Sequence, residues 1–453
     1  MTQMLTSESE VDTSGVPFAI TDRCFVPRER YFDRNFFELE NERLWPRVWQ
    51  MACRLEEIPN VGDYVEYNVA RYSVLVVRTE KDEIKAYQNA CRHRATQLAI
   101  GCGRFTGGQI VCPFHGWRWN LDGTPSNLYG REGFDERCLD PEDVKLIECQ
   151  VGTWAGCVFI NMDRDAPPLS KALEPLQQYL DALNVADMRV YWWKGVRLNC
   201  NWKIAMEAFM EGWHVQATHP QLTMGAGEEF PADFLSVQHS YENGHASLAQ
   251  GHDNDMQADL GLSARAEADR TLAFMQITQE GLDAMVLPKD VRVIEGLRNL
   301  DCPPEQFAAK VIEALYAWNA GAGIRLPNPE PDILARWGSQ WFIFPNFMIH
   351  PLFGNAISYR SRPDSDDPEH CLFEFWSLTL YPEGQEPVKA TYDGERPVDD
   401  ASFWPPIPRQ DFSNIERQQR GLHTPGYRSN RLASKFEDGI ANMHVHLDSY
   451  LAG

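Results

Sequence analysis

Long apolar runs are missing from this sequence of 453 residues: nothing in it approaches the roughly 18–20 uninterrupted apolar residues that cross a bilayer. Basic residues are scarce beside acidic ones, 42 Lys and Arg against 65 Asp and Glu, for a formal charge of −23. That balance argues against wrapping nucleic acid or coating an anionic membrane, both of which need basic surface. The start, Met1–Ser14, is polar and acidic and lacks the basic head and apolar stretch of a secretory leader. Residues 1–16 are therefore expected to be a disordered tail, and the protein to be cytoplasmic. Eleven cysteines, an odd number spread over a long chain, do not make a secreted disulfide framework. Two stand in a metal-type spacing, and the other nine read as reduced core thiols. A Gly-x-Gly-x-x-Gly nucleotide fingerprint is also absent, so electrons for any redox chemistry must come from another protein.

What is present is enough apolar and aromatic residue, 43% and 11%, to fill real cores, and enough length for two domains. Phe36, Phe37, Leu39 and Leu44 fall near helical spacing in a lead-in segment. Beyond Pro59 come short Val- and Tyr-rich runs, Tyr64–Val69, Tyr72–Arg78 and Ile84–Asn89, separated by polar turns and ending near Val158–Asn161. They predict a small all-β domain. Pro167-Pro168 is an exit linker. The remainder mixes helices over Lys171–Leu183, Trp202–Val215, Pro304–Trp318, Gln410–Leu422 and Leu432–Leu451 with strands over Arg189–Arg197, Trp341–Ile349 and Cys371–Tyr381. This is an α+β unit built on an antiparallel sheet flanked by helices. The expected division is a helical segment over 17–44 packing on the larger unit, the small β domain over 45–166, and the larger unit over 167–453.

Inside the small domain, Cys91-Arg92-His93 is followed after eighteen residues by Cys112-Pro113-Phe114-His115. A Rieske [2Fe–2S] cluster needs two thiolates on one iron and two imidazoles on the other, and each loop supplies one of each. Structural zinc competes for the same residues, but its sites more often pair like with like. Chance is the third reading.

A second constellation is His214-Val215-Gln216-Ala217-Thr218-His219. Side chains five apart lie roughly 140° apart around a regular helix, so the helix must end or distort for both to face one ion. Val215, Thr218 and Pro220 favour that. Two histidines and one carboxylate form the facial triad of non-haem Fe(II) oxygenases. Taken alone, the pair reads equally as two unrelated polar histidines.

Together, Cys91-Arg92-His93-Arg94, Cys112-Pro113-Phe114-His115-Gly116-Trp117, Asn120-Leu121-Asp122-Gly123 and Asn201-Trp202-Lys203 … His214 … Thr218-His219-Pro220 resemble the large subunits of Rieske non-haem iron, aromatic-ring-hydroxylating oxygenases. The likeness spans residues 40–450. It implies a Rieske cluster on Cys91, His93, Cys112 and His115, and a mononuclear Fe(II) on His214, His219 and Asp411. Asp399, Asp400 and Glu416 compete for the carboxylate role. By the same likeness, Glu211 bridges His214 to His115 of a neighbouring subunit and carries electrons between them. The family usually has Asp there. Ala208 stands where some ring dihydroxylases carry Asn.

The resemblance further implies dioxygen as co-substrate, with NAD(P)H acting indirectly through a separate flavin reductase or ferredoxin. It implies a head-to-tail homotrimer, with or without small β subunits. The expected substrate is hydrophobic and aromatic, in a pocket including Phe209, Met210 and Trp213, with loops from 221–300 over the iron. Dihydroxylation and monohydroxylation are both open. The alternatives are oxidative demethylation, or attack on an alkylamine or terpenoid. Two non-catalytic readings, an electron-transfer Rieske protein and a scaffold, are opposed by the second iron motif.

Overall fold

The computed structural model describes residues 11–223, 237–249, 264–330, 338 and 340–453. Two seven-stranded antiparallel sheets organise them. In the first, the strands run in the order Gln50–Arg54, Cys157–Asn161, Glu148–Trp154, Glu83–Gln88, Tyr72–Glu80, Asp63–Val69, Cys102–Arg104. A three-stranded ribbon, Gln109–Val111, Arg118–Asn120 and Pro125–Asn127, adjoins it. In the second, the order is Arg189–Leu198, Cys371–Thr379, Asn355–Pro363, Phe347–Leu352, Gln340–Ile343, Ala246–Ala249, Val237–Ser240. Helices cover one face of this larger sheet. Among the described residues no helix is long and apolar enough to cross a membrane.

Several elements differ from expectation for local reasons. Pro175 lacks an N–H and breaks the helix expected over Lys171–Leu183 into single turns, Leu169–Ala172 and Gln177–Leu180. The strand expected over Trp341–Ile349 is a hairpin, Gln340–Ile343 with Phe347–Leu352, turning at Phe344–Asn346. Its partner Asn355–Pro363 is buried along nearly its whole length, so it shows no alternation. The helix expected from Gln410 begins at Pro406, because proline is tolerated in a first turn whose N–H groups have no partner. The last helix is Asp438–Ala452 rather than Leu432–Leu451. Much of the expected loop region 221–300 is helix, Ala264–Leu282 and Pro288–Glu295. The rest of that region falls partly on 224–236 and 250–263, outside the described residues, as do residues 1–10 of the expected tail.

The N-terminal helix Arg34–Arg43 starts at Asp33, whose side chain accepts from the Phe36 N–H. It lies against the larger unit through a fully buried ion pair: Lys203 Nζ donates to Glu40 Oε1 at 2.6 Å. Trp202 Nε1 donates to the other Glu40 oxygen. Burial holds the Lys203 ammonium below its ordinary pKa, against the pull of Glu40. Nearby, Arg30 donates to Asp448 at 2.6 Å and to His444 Nδ1 at 3.2 Å. His444 is therefore the Nε2–H tautomer, and that N–H lies 2.9 Å from Glu207 Oε1. Tyr31 donates to the same carboxylate. Burial, partly offset by Tyr31 and Lys203, pushes Glu207 up to about 7.

Two expected outcomes follow from these networks. Lys203→Met leaves the Glu40 carboxylate buried and unpaired and should cost about 3–5 kcal/mol. Adding Glu40→Leu should recover much of it, as measured by denaturant unfolding of both variants. Glu207 has a folded pKa above its unfolded value, so its contribution is present below about pH 4.5 and is lost as pH rises through about 7. Glu207→Gln should therefore gain about 2–3 kcal/mol relative to wild type between pH 5 and pH 8. A constant difference in unfolding free energy across that range would refute the assignment.

Candidate metal centres

The first expected site is assembled by two loops that each close on their own cysteine. The Ala95 N–H donates to the Cys91 carbonyl at 2.9 Å, and the Cys91 N–H donates to the Thr96 carbonyl at 2.8 Å. In the second loop the Cys112 N–H donates to the Trp117 carbonyl at 2.8 Å, and Gly116, at φ +72°, turns its N–H back to the Cys112 carbonyl. Glycine takes that left-handed conformation without steric cost. The loops bring the two thiols within hydrogen-bonding reach, and burial with the neighbouring Cys112 raises Cys91. The two imidazoles meet edge to face with ring centroids 4.7 Å apart, and His93 stacks on the buried Trp117. His93 Nδ1 is enclosed and has no hydrogen-bond partner. An orphaned imidazole nitrogen beside a second imidazole, with paired thiols below, fits a cluster that takes two of each.

The second site lies where a helix gives way. Asn201 caps Trp202–Glu207, and the chain then leaves the helix through residues 208–214, earlier than the expected Trp202–Val215. His214 heads a single turn, Val215–Thr218, and His219 ends it in a non-helical conformation. That break removes the roughly 140° mismatch. His219 Nε2 lies 2.9 Å, and His214 Nε2 3.7 Å, from the same oxygen of Asp411. The three donor atoms all lie within 4.8 Å of one another. Asp411 arrives from the buried stripe Ile407, Asp411, Ile415 and Gln419 of helix Pro406–Leu422, so a carboxylate occupies a core-facing position.

Both imidazoles are held from behind. Glu211 Oε1 lies 2.6 Å from His214 Nδ1, and the same carboxylate accepts from the Trp213 and His214 N–H groups. Gln410 Oε1 lies 2.8 Å from His219 Nδ1, and Gln221 donates to that same oxygen. Each Nδ1–H is thus committed, leaving each Nε2 free to bind an ion. Burial opposes the charged form of His214, but the hydrogen bond and charge of Glu211, with Asp411, raise it overall. The donor set fits a mononuclear iron. Asp399 is exposed, Asp400 accepts from Ser402, and Glu416 accepts from Asn199, so none of the competing carboxylates joins the cluster.

Of the three pocket candidates, Phe209 stacks on Tyr359 with centroids 4.6 Å apart, in the core between the helices and the larger sheet. Met210 is buried in the same core. Trp213 is 47% exposed and leans on Phe436, facing outward. Gln410 was not singled out from the sequence, although it directly precedes Asp411. Tyr359 escaped because its strand did.

Comparison with known proteins gives the families of the two regions that hold these clusters. Residues 48–132 match the Rieske [2Fe-2S] domain family, and residues 185–453 match the ring hydroxylating alpha subunit (catalytic domain) family. The glycine betaine monooxygenase oxygenase subunit of Pseudomonas aeruginosa is 28% identical over 198 residues, 44% of this chain and 45% of that protein. The 2-aminobenzenesulfonate 2,3-dioxygenase subunit alpha of an Alcaligenes species is 29% identical over 237 residues, 51% of this chain and 59% of that one. The matched segments thus span about half the length of these relatives. The crystal structure of a quaternary ammonium Rieske monooxygenase in complex with L-carnitine superposes with a TM-score of 0.62 at 17% identity, over 95% of this chain and 97% of that one, which shows a shared fold. With two imidazole–thiol loops in a matched Rieske domain and a two-histidine, one-carboxylate cluster in a matched catalytic domain, the chain belongs to the ring-hydroxylating alpha-subunit family of Rieske oxygenases, which are oxidoreductases.

Proposed function

We propose that the chain is a terminal oxygenase component that inserts oxygen from dioxygen into a methylated amine, a monooxygenation that ends in loss of a methyl group. The observation that carries the catalytic part is the convergence of His214 Nε2, His219 Nε2 and Asp411 Oδ1, with each imidazole anchored through its other nitrogen. When bound, the cluster on Cys91, His93, Cys112 and His115 supplies electrons one at a time, and the mononuclear iron activates dioxygen. The protein groups orient and enclose. Glu211 and Gln410 fix the imidazoles, and on the sheet side the rings of Tyr359 and Phe373 stack against Phe209.

The amine reading is supported by the names of relatives that act on glycine betaine and carnitine. It is also supported by electron-rich ring faces near the Asp411 carboxylate, which suit a methylammonium cation. The balance is one substrate methyl, one dioxygen, two electrons and two protons giving the demethylated amine in the same charge state, formaldehyde and water. A neutral aromatic substrate is the second reading, because the same rings can stack on it and a relative is named as a ring dioxygenase. The electrons come from an external NAD(P)H-dependent reductase or ferredoxin. Residues 45–166 serve as the cluster domain and 167–453 as the catalytic domain, with 17–44 docked on the latter. In a homotrimer, Glu211 would link His214 to the neighbouring subunit's His115.

The holoenzyme should carry about three irons per chain, two in the cluster and one alone. Asp411→Ala should retain about two and lose turnover. Glu211→Gln should keep all three while turnover falls roughly 10–100-fold. Loss of the third iron from the Glu211 variant would make Glu211 a ligand and displace Asp411. Reduced enzyme given labelled dioxygen and alkylamines should release labelled formaldehyde. Labelled products from aromatic compounds alone would favour the second reading.

A further inference from the structure

We propose that Tyr359 and His350 form a neutral hydrogen-bonding pair on the sheet floor of the active site, selecting substrates that carry an uncharged polar group such as a hydroxyl, carbonyl or amide. The inference rests on the placing of the metal between His214, His219 and Asp411.

The sheet register puts both residues on the metal-facing side. Along Phe347–Leu352, Phe347 and Ile349 point into the cluster on the far face, with Trp341, Trp376 and Leu378. Met348 belongs to the core beneath the metal helices, and Leu352 packs against the helices 264–321. His350, between them by alternation, shares their face. Tyr359 pairs directly with Met348, which makes it the diagonal neighbour of His350, about 7–8 Å away across the strands. Tyr359 and Phe373 on this face both stack on Phe209, two residues beyond the helix Trp202–Glu207. Asp411 lies close enough for its charge to act on the Tyr359 hydroxyl, adding to burial in raising it.

Neither polar group is spent on the fold. Among the described residues, the Tyr359 hydroxyl and the His350 ring nitrogens have no hydrogen-bond partner; the Ser377 hydroxyl on this face also lacks one, while three other polar groups there are bonded. Gln340 donates to the Phe209 carbonyl, Lys194 to the Phe403 carbonyl and Ser361 to the Trp202 carbonyl. Burial lowers His350 to about 4, so it is uncharged at neutral pH and offers one N–H and one lone pair. Tyr359 adds an O–H. Neither group is among the fully enclosed atoms that lack a partner, so each keeps an approach open to a polar group of a bound ligand.

The test uses two isosteric pairs differing by a hydroxyl: choline against ethyltrimethylammonium, and benzyl alcohol against toluene. Binding is measured by calorimetry on the anaerobic holoenzyme. The wild type should bind the hydroxylated member of at least one pair about tenfold more tightly or better. Tyr359→Phe and His350→Leu should each shrink that ratio toward one while the apolar member binds within about twofold of wild type. His350→Gln, which keeps a donor and an acceptor, should retain it. A structural role would weaken both members alike. Equal binding within both pairs by the wild type, no binding of either pair, or a ratio unchanged in both variants would overturn the proposal. Selective binding without turnover of any amine would instead overturn the proposed reaction and leave this pair standing; turnover without selectivity would do the reverse.

Discussion

Three ionisable groups have to meet at one point inside the protein, two imidazoles from one short segment and a carboxylate nearly 200 residues further along the chain. Each is costly to bury without partners. The local architecture answers that cost. The helix Trp202–Glu207 stops early, so that His214 and His219 bracket a single turn and look the same way. Asp411 sits in the buried stripe of its helix, where Ile407 and Ile415 would predict an apolar neighbour. Glu211 and Gln410 then occupy the rear nitrogens, so that only the Nε2 atoms remain for an ion.

That arrangement needs a rigid support, and much of it is itself polar. On and around the helix Trp202–Glu207 lie Lys203 with Glu40, Arg30 with Asp448, and the triangle of Tyr31, Glu207 and His444. Further off, Arg360 donates to Glu374 and to the Met51 and Ala52 carbonyls, joining the large sheet to the first strand of the Rieske unit. Buried ion pairs of this kind contribute little net stability over apolar packing, but one partner without the other is expensive. They therefore fix one way of seating the N-terminal segment and the Rieske unit on the catalytic sheet, because a shifted docking would strand several charges at once.

The chemistry was legible in the sequence because metal donors are rare residue types in short, fixed spacings. Cys91, His93, Cys112 and His115 lie within 25 residues, and their pattern survives without any knowledge of the fold. Asp411 was legible only through family resemblance, since nothing local distinguishes it from Asp399 or Asp400. The parts that escaped share a cause. Asn355–Pro363 carries Asn355, Ser358, Arg360 and Ser361 at buried positions, several of them bonded to distant partners. Hydrophobic periodicity has no signal for a strand like that. Trp213 was read as a pocket residue from its neighbours in sequence, but the break in the helix turns it outward.

The face of the large sheet that looks at the metal site explains why the catalytic centre can be shared across a family while substrates differ. The ligands come from helices whose positions are set by the buried charge networks and by core packing, so they have little freedom to vary. The strands opposite them have their main-chain groups satisfied by the ladder, and alternate side chains on that face can change without unpairing a single backbone bond. In this chain those positions hold Phe375, Tyr359, Met348, His350 and Gln340, a surface of aromatic rings interrupted by neutral polar groups. Aromatic faces of this kind suit either a methylammonium or an arene. The variable side chains of this face thus lie on the sheet, and the candidate metal donors on or beside helices.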